Sequence, residues 1–95
     1  MMNSDTLTQI RNDFPILSRD IHGKPLIYLD SAASSQKPQK VIDAMANFMS
    51  TSYANVHRGV HQLASESTDA YEHSRRMVAD FARTKPEQIV FTMGA

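Results

Sequence analysis

Apolar positions recur at helical intervals in three separate stretches of the chain. Leu7, Ile10 and Phe14 fall three and four residues apart, on one face of a short helix that Asp5 or Thr6 would cap and Pro15 would close. A second helix is expected from Pro38, whose fixed φ suits a first turn, to about Thr51, with Val41, Ile42, Met45, Phe48 and Met49 as its stripe. The third pattern is the most regular. Leu63, Ala70, Tyr71, Met77, Val78, Phe81 and Ala82 share a face, Ser65 is a suitable N-cap, and Glu72 to Arg76 is an i,i+4 pair in the favourable order. This helix should fade near Arg83-Thr84, ahead of Pro86.

Two short apolar runs read differently. Leu26-Ile27-Tyr28-Leu29 follows the turn signal Gly23-Lys24-Pro25 and is predicted to be a strand. A loop of small residues, Asp30 to Gln36, leads from it to the second helix. Ile89-Val90-Phe91-Thr92 reads as a buried strand, and Gly94 stands where a strand-to-helix turn would begin. A last strand with unpaired edges is a poor place for a chain to stop, so a truncated chain is expected.

Composition narrows the function classes without choosing one. Ten basic residues balance ten acidic ones, leaving no net field to attract nucleic acid or an anionic membrane. The 41% apolar content is that of an ordinary globular chain and argues against disorder. Cysteine is absent, which removes disulfides, thiolate zinc sites and a cysteine nucleophile from these residues. No basic n-region precedes an apolar run, and no apolar stretch nears the ~18 residues of a membrane span. A cytoplasmic protein is the expectation.

Three short motifs could carry chemistry. In Asp30-Ser31-Ala32-Ala33-Ser34 the side chains are small, so a ligand or a neighbouring loop can approach the backbone. Taken alone it reads first as a tight connector. In Val56-His57-Arg58-Gly59-Val60-His61 the two histidines have zinc-like spacing, but Gly59 lies between them and no third ligand is evident, so no metal site is assigned. Alone, this too reads as a polar surface loop. Gly94-Ala95 after a strand fits the start of a phosphate cradle built from backbone N–H groups, a weak signal by itself.

In their order and spacing, Tyr28-Leu29-Asp30-Ser31-Ala32-Ala33-Ser34, Val56-His57-Arg58-Gly59-Val60-His61 and Phe91-Thr92-Met93-Gly94 resemble the N-terminal part of a class V, fold-type I pyridoxal-phosphate (PLP) enzyme. The SufS/CsdA-like cysteine desulfurases are the best match, and the resemblance extends back to Arg11-Asn12-Asp13-Phe14-Pro15. It implies an α/β fold in which residues 1–95 form a helical N-terminal arm and the start of the large PLP-binding domain. The rest of that domain and the C-terminal small domain would be absent. It also implies PLP-dependent conversion of L-cysteine to L-alanine. The sulfur would be carried as an enzyme persulfide and handed to a Suf-type acceptor for iron–sulfur cluster assembly, by a homodimer.

By the same resemblance Ala32 and Ala33 leave room for the substrate, and His57 and Arg58 lie at the pocket mouth, where the guanidinium fork suits a carboxylate. Gly94 and Ala95 would begin the grip on the PLP phosphate. No catalytic residue is expected within the 95. Lys24, Lys37, Lys40 and Lys85 match no Schiff-base position, His22 and His73 read as surface residues, and the methionines read as core filler. Selenocysteine lyase, cysteine sulfinate desulfinase or another class V enzyme is the alternative within the fold, with L-selenocysteine a possible substrate. A non-catalytic helical interaction module is the alternative outside it.

Overall fold

The computed structural model describes residues 3–94, which divide into two compact units meeting near residue 47. The first unit opens with α1 (Ser4–Asn12). Its cap is Asn3, two residues before the expected position, and the Asn3 Oδ1 accepts the Thr6 N–H at 2.8 Å. Asp5 falls in the first turn instead, where its charge suits the positive end of the helix. Pro15 begins a 3-10 turn, Pro15–Ser18. Arg11, in the last turn of α1, donates to the Leu17 carbonyl at 3.3 Å and the Leu26 carbonyl at 3.1 Å, tying three segments together.

A hairpin of β1 (Asp20–Ile21) and β2 (Lys24–Pro25) follows, paired Asp20↔Pro25 and Ile21↔Lys24. The turn sits on His22 and Gly23, both with positive φ (54° and 78°), one residue ahead of the expected Gly23-Lys24-Pro25. Two successive left-handed residues match the right-handed twist of a two-residue hairpin, and Gly23 supplies one of them without strain. Leu26–Leu29 does not form the expected strand. Beyond one bond from the Leu26 N–H to the Arg19 carbonyl (3.0 Å), it has no ladder partner among the described residues.

Helix α2 (Gln39–Thr51) runs across the boundary between the units. Pro38 stands just before it, and its carbonyl accepts from Val41 and Ile42. The predicted stripe is present but uncovered, with Met49 60% exposed.

In the second unit the long helix α3 spans Gln62–Phe81. His61, not Ser65, is its N-cap, and the ring Nδ1 accepts the Ala64 N–H at 3.2 Å. Ala64, Ser67 and Ala79 are its buried residues, and small side chains there let the backbone approach its neighbours closely. The Ser67 hydroxyl donates to the Ser52 carbonyl at 2.5 Å, and Phe48 meets Tyr53 edge-on. The helix ends at Ala82, and Arg83 (φ 56°) turns the chain so that the Thr84 N–H reaches the Ala79 carbonyl at 2.9 Å. A 3-10 turn, Pro86–Gln88, leads to Ile89–Thr92, which again lacks a ladder among the described residues. Leu29 and Phe81 are 91% and 92% exposed, so each unit carries apolar side chains that it does not itself bury.

Candidate active-site segments

The Asp30–Gln36 loop is a turn closed on its own backbone. The Asp30 carbonyl accepts from Ala33 (3.1 Å) and Ser34 (3.2 Å). The Tyr28 hydroxyl lies between the Asp30 carbonyl, at 3.2 Å, and the Ser34 carbonyl, so its one proton clips the two ends of the turn together. Ala32 and Ala33 are exposed at the apex. Beside the loop is a cavity of about 440 Å³ lined in part by Arg11, Phe14, Tyr28, Ser31 and Ser35, but not by Ala32 or Ala33. Within this unit the alanines therefore mark a small, open ledge.

The second motif is held by one face of α3. His57 has φ +64°, a left-handed conformation uncommon for any residue with a Cβ. Its N–H donates to the Thr68 hydroxyl at 2.9 Å, and its Nε2 lies 2.9 Å from Glu72 Oε1. The other Glu72 oxygen accepts from Arg75 Nε at 2.9 Å. Glu72 thus pairs with Arg75 and His57 rather than with Arg76 as the sequence suggested. Arg75 also donates to the Ile89 carbonyl, and its guanidinium lies 5.2 Å and 5.3 Å from the ring centroids of Tyr71 and Phe91. Tyr71 meets the His57 and Phe91 rings edge-on at 5.8 Å and 5.3 Å. Arg58, by contrast, is exposed and has no ion-pair or hydrogen-bond partner among the described residues. Its fork is free to meet an anion.

Both loop histidines already use a ring nitrogen, His57 toward Glu72 and His61 toward the end of α3. Sequence reasoning missed Thr68, Glu72 and Arg75. The usable signal is that Thr68 and Glu72 lie one turn apart on the same face of the third helix.

Gly59 is required by contact rather than by its φ. A Cβ there would lie 2.5 Å from the Ala64 Cβ and 3.1 Å from His61 Nε2. Ala64 is fully buried, so the loop must move instead. Gly59→Ala is expected to lower stability by about 1–3 kcal/mol, the usual cost of overpacking, as read by urea or thermal unfolding. Adding Ala64→Gly should recover part of that loss, and a strictly additive double variant would show that the contact is not the cause.

The cluster also gives a sign to the acid response. The hydrogen bond from Arg75, helped by the Arg75 charge and by His57, holds the Glu72 carboxyl below its ordinary value near 4.5, while partial desolvation opposes this. A group whose pKa is depressed on folding binds fewer protons in the folded state, so its contribution is present above the ordinary Glu value and is lost as pH falls through the lowered one. The melting temperature should fall between pH 6 and pH 3.5, by less in Glu72→Gln than in the wild type. An identical fall in both would remove Glu72 from the acid response.

Gly94 has φ +123°, and no heavy atom lies within 4 Å of where a Cβ would stand. The Thr92 hydroxyl donates to its carbonyl at 3.1 Å. Ala95, the other expected phosphate-gripping residue, lies outside the described residues.

The chain is similar to known proteins along nearly its whole length. Cysteine desulfurase of Cronobacter sakazakii is 51% identical over 92 residues, covering 96% of this chain and 23% of that protein. Cysteine desulfurase of Yersinia pestis is 51% identical over 89 residues, covering 93% of this chain and 22% of the relative. The chain therefore spans less than a quarter of the length of these relatives. The solved apo structure of cysteine desulfurase from Thermococcus onnurineus NA1 superposes with a TM-score of 0.73 at 40% identity, over 97% of this chain and 21% of that one. This likeness bears out the expected α/β segment of a fold-type I transferase. The Aminotransferase class-V family model matches residues 27–95, which include all three motifs, and the chain belongs to that family.

Proposed function

We propose that this chain is the N-terminal portion of the PLP-binding domain of a cysteine desulfurase. That enzyme would convert L-cysteine to L-alanine and carry the sulfur as an enzyme persulfide toward iron–sulfur cluster assembly. The observation that carries the reading is the 51% identity to cysteine desulfurases across 96% of the chain. The proposal includes a homodimer, a Suf-type sulfur acceptor and a cytoplasmic setting, as the sequence resemblance implied.

Gly94 is compatible with a phosphate grip. It has a backbone conformation that L side chains rarely adopt, which suits main chain that turns its N–H groups toward an anion. Gly94 and Ala95 would hold the PLP phosphate. PLP, when bound, supplies the electron sink for bond breaking at the amino acid. Arg58 binds the substrate carboxylate with its unpartnered fork, and Ala32 and Ala33 leave space beside the amino acid. His57 sits next to Arg58, with its Nε2 2.9 Å from Glu72 Oε1.

The test is release of L-alanine and sulfide, in equal amounts, from L-cysteine by the protein that carries this segment, purified with PLP and assayed with a thiol reductant that reduces the persulfide sulfur to sulfide. Turnover of L-selenocysteine or cysteine sulfinate with no sulfide from L-cysteine would replace the reading with its class V alternative. No turnover of any of the three would overturn it.

A further inference from the structure

One cluster in the second unit is left without a task by that reading. Thr68 and Glu72 both grip His57, one by its backbone N–H and the other by its ring. The Glu72 carboxylate is itself held, because Arg75 occupies its second oxygen and is anchored by the Ile89 carbonyl and the Tyr71 and Phe91 rings. Tyr71, edge-on to His57, restricts the ring further. One helix thus fixes the backbone of His57 through Thr68 and its imidazole through Glu72 and Tyr71.

An ionised carboxylate only accepts hydrogen bonds, so the imidazole proton facing it must be on Nε2. A neutral imidazole has only one such proton, which leaves the lone pair on Nδ1. The geometry points to Glu72 as a positioning residue that fixes His57 in the Nε2–H tautomer and keeps its Nδ1 available to accept a hydrogen bond or proton from the substrate amino acid. The inference rests on the reading of His57 as a pocket residue. Nδ1 of His57 has no hydrogen-bond partner among the described residues, as this role requires. His61 provides an internal comparison. Its Nδ1 accepts from Ala64, so its proton is also on Nε2, but for a reason that does not involve Glu72.

Long-range 1H–15N spectra of the histidine-labelled protein that carries this segment, recorded at mildly alkaline pH, read the tautomers directly. In the wild type, His57 and His61 should each show the single Nε2–H pattern. Glu72→Ala should return His57 to the averaged pattern of a free imidazole and leave His61 unchanged. Glu72→Gln should do more. Arg75 can only donate, so it claims the amide oxygen and turns the NH2 toward His57, which must then accept on Nε2 and move its proton to Nδ1. A reversed His57 pattern with unchanged His61 and unchanged helical ellipticity would support the assignment, since a purely structural role for Glu72 predicts no reversal. An averaged His57 pattern in the wild type, or an Nε2–H pattern that persists in both variants, would overturn it. The readout involves no turnover. Failure here leaves the desulfurase assay standing, and failure of that assay leaves the tautomer assignment standing.

Discussion

Arg58→Ala lowers kcat/KM for L-cysteine about thirtyfold to thousandfold in the desulfurase carrying this segment, whereas Lys40→Ala stays near wild type. The range follows from about 2–4 kcal/mol for breaking a desolvated charge pair, converted at about 1.4 kcal/mol per factor of ten. Both residues are exposed cations, so net charge cannot separate them. Their settings do. Lys40 lies in the first turn of α2, a solvated position beside Asp43 and Gln39. Arg58 follows a backbone residue locked at positive φ by Thr68 and Glu72, so its guanidinium leaves from a fixed point. A rigid base lowers the entropy cost of a bidentate grip. PLP absorbance should survive Arg58→Ala, because the phosphate grip is assigned to Gly94 and Ala95. Equal, near-wild-type kinetics for the two variants would remove Arg58 from the site, and loss of PLP with a lower melting temperature would make it a scaffold residue.

The 95 residues on their own give no turnover of L-cysteine with PLP. They contain no cysteine to take the sulfur, so the persulfide step has no acceptor atom within them. Their four lysines sit at turn or polar positions, and Lys37 already donates to the Ser35 carbonyl. The same preparation should bind a hydrophobic dye and self-associate as its concentration rises, because Leu29, Met49, Phe81 and Val90 remain largely exposed. Sustained sulfide release abolished by a substitution within residues 1–95 would overturn the first expectation. A sharp two-state unfolding transition of a monomer without dye binding would overturn the second.

What could be read from the sequence was whatever depends on local periodicity. The three helices follow from spacing three and four residues apart, and the end of α3 near Arg83 followed from Pro86 downstream. The caps were less legible. His61 outcompeted Ser65 because an imidazole Nδ1 can accept an N–H as a carboxylate or hydroxyl does, a role that propensity rules seldom give to histidine. The strands at Leu26–Leu29 and Ile89–Thr92 were misread for a different reason. A continuous apolar run of strand-forming residues marks burial, but a strand also needs a partner, and partner choice is not a local property. The motif residues His57 and Arg58 were found through family resemblance. The residues that hold His57 in place, Thr68, Glu72 and Arg75, are ordinary helix-surface types and acquire meaning only when the loop is laid against them.

Thr68 and Glu72 meet His57 because they occupy one stripe of a helix that advances about 100° per residue. The helix acts as an index. Gaining or losing a single residue between His61 and Thr68 would swing both grips roughly a quarter turn away from the loop, while leaving every side chain and the helical content in place. The interval from His61 to Glu72 should therefore accept changes of residue at its exposed positions but none of length, and natural variants of this segment should differ there by substitution and never by insertion.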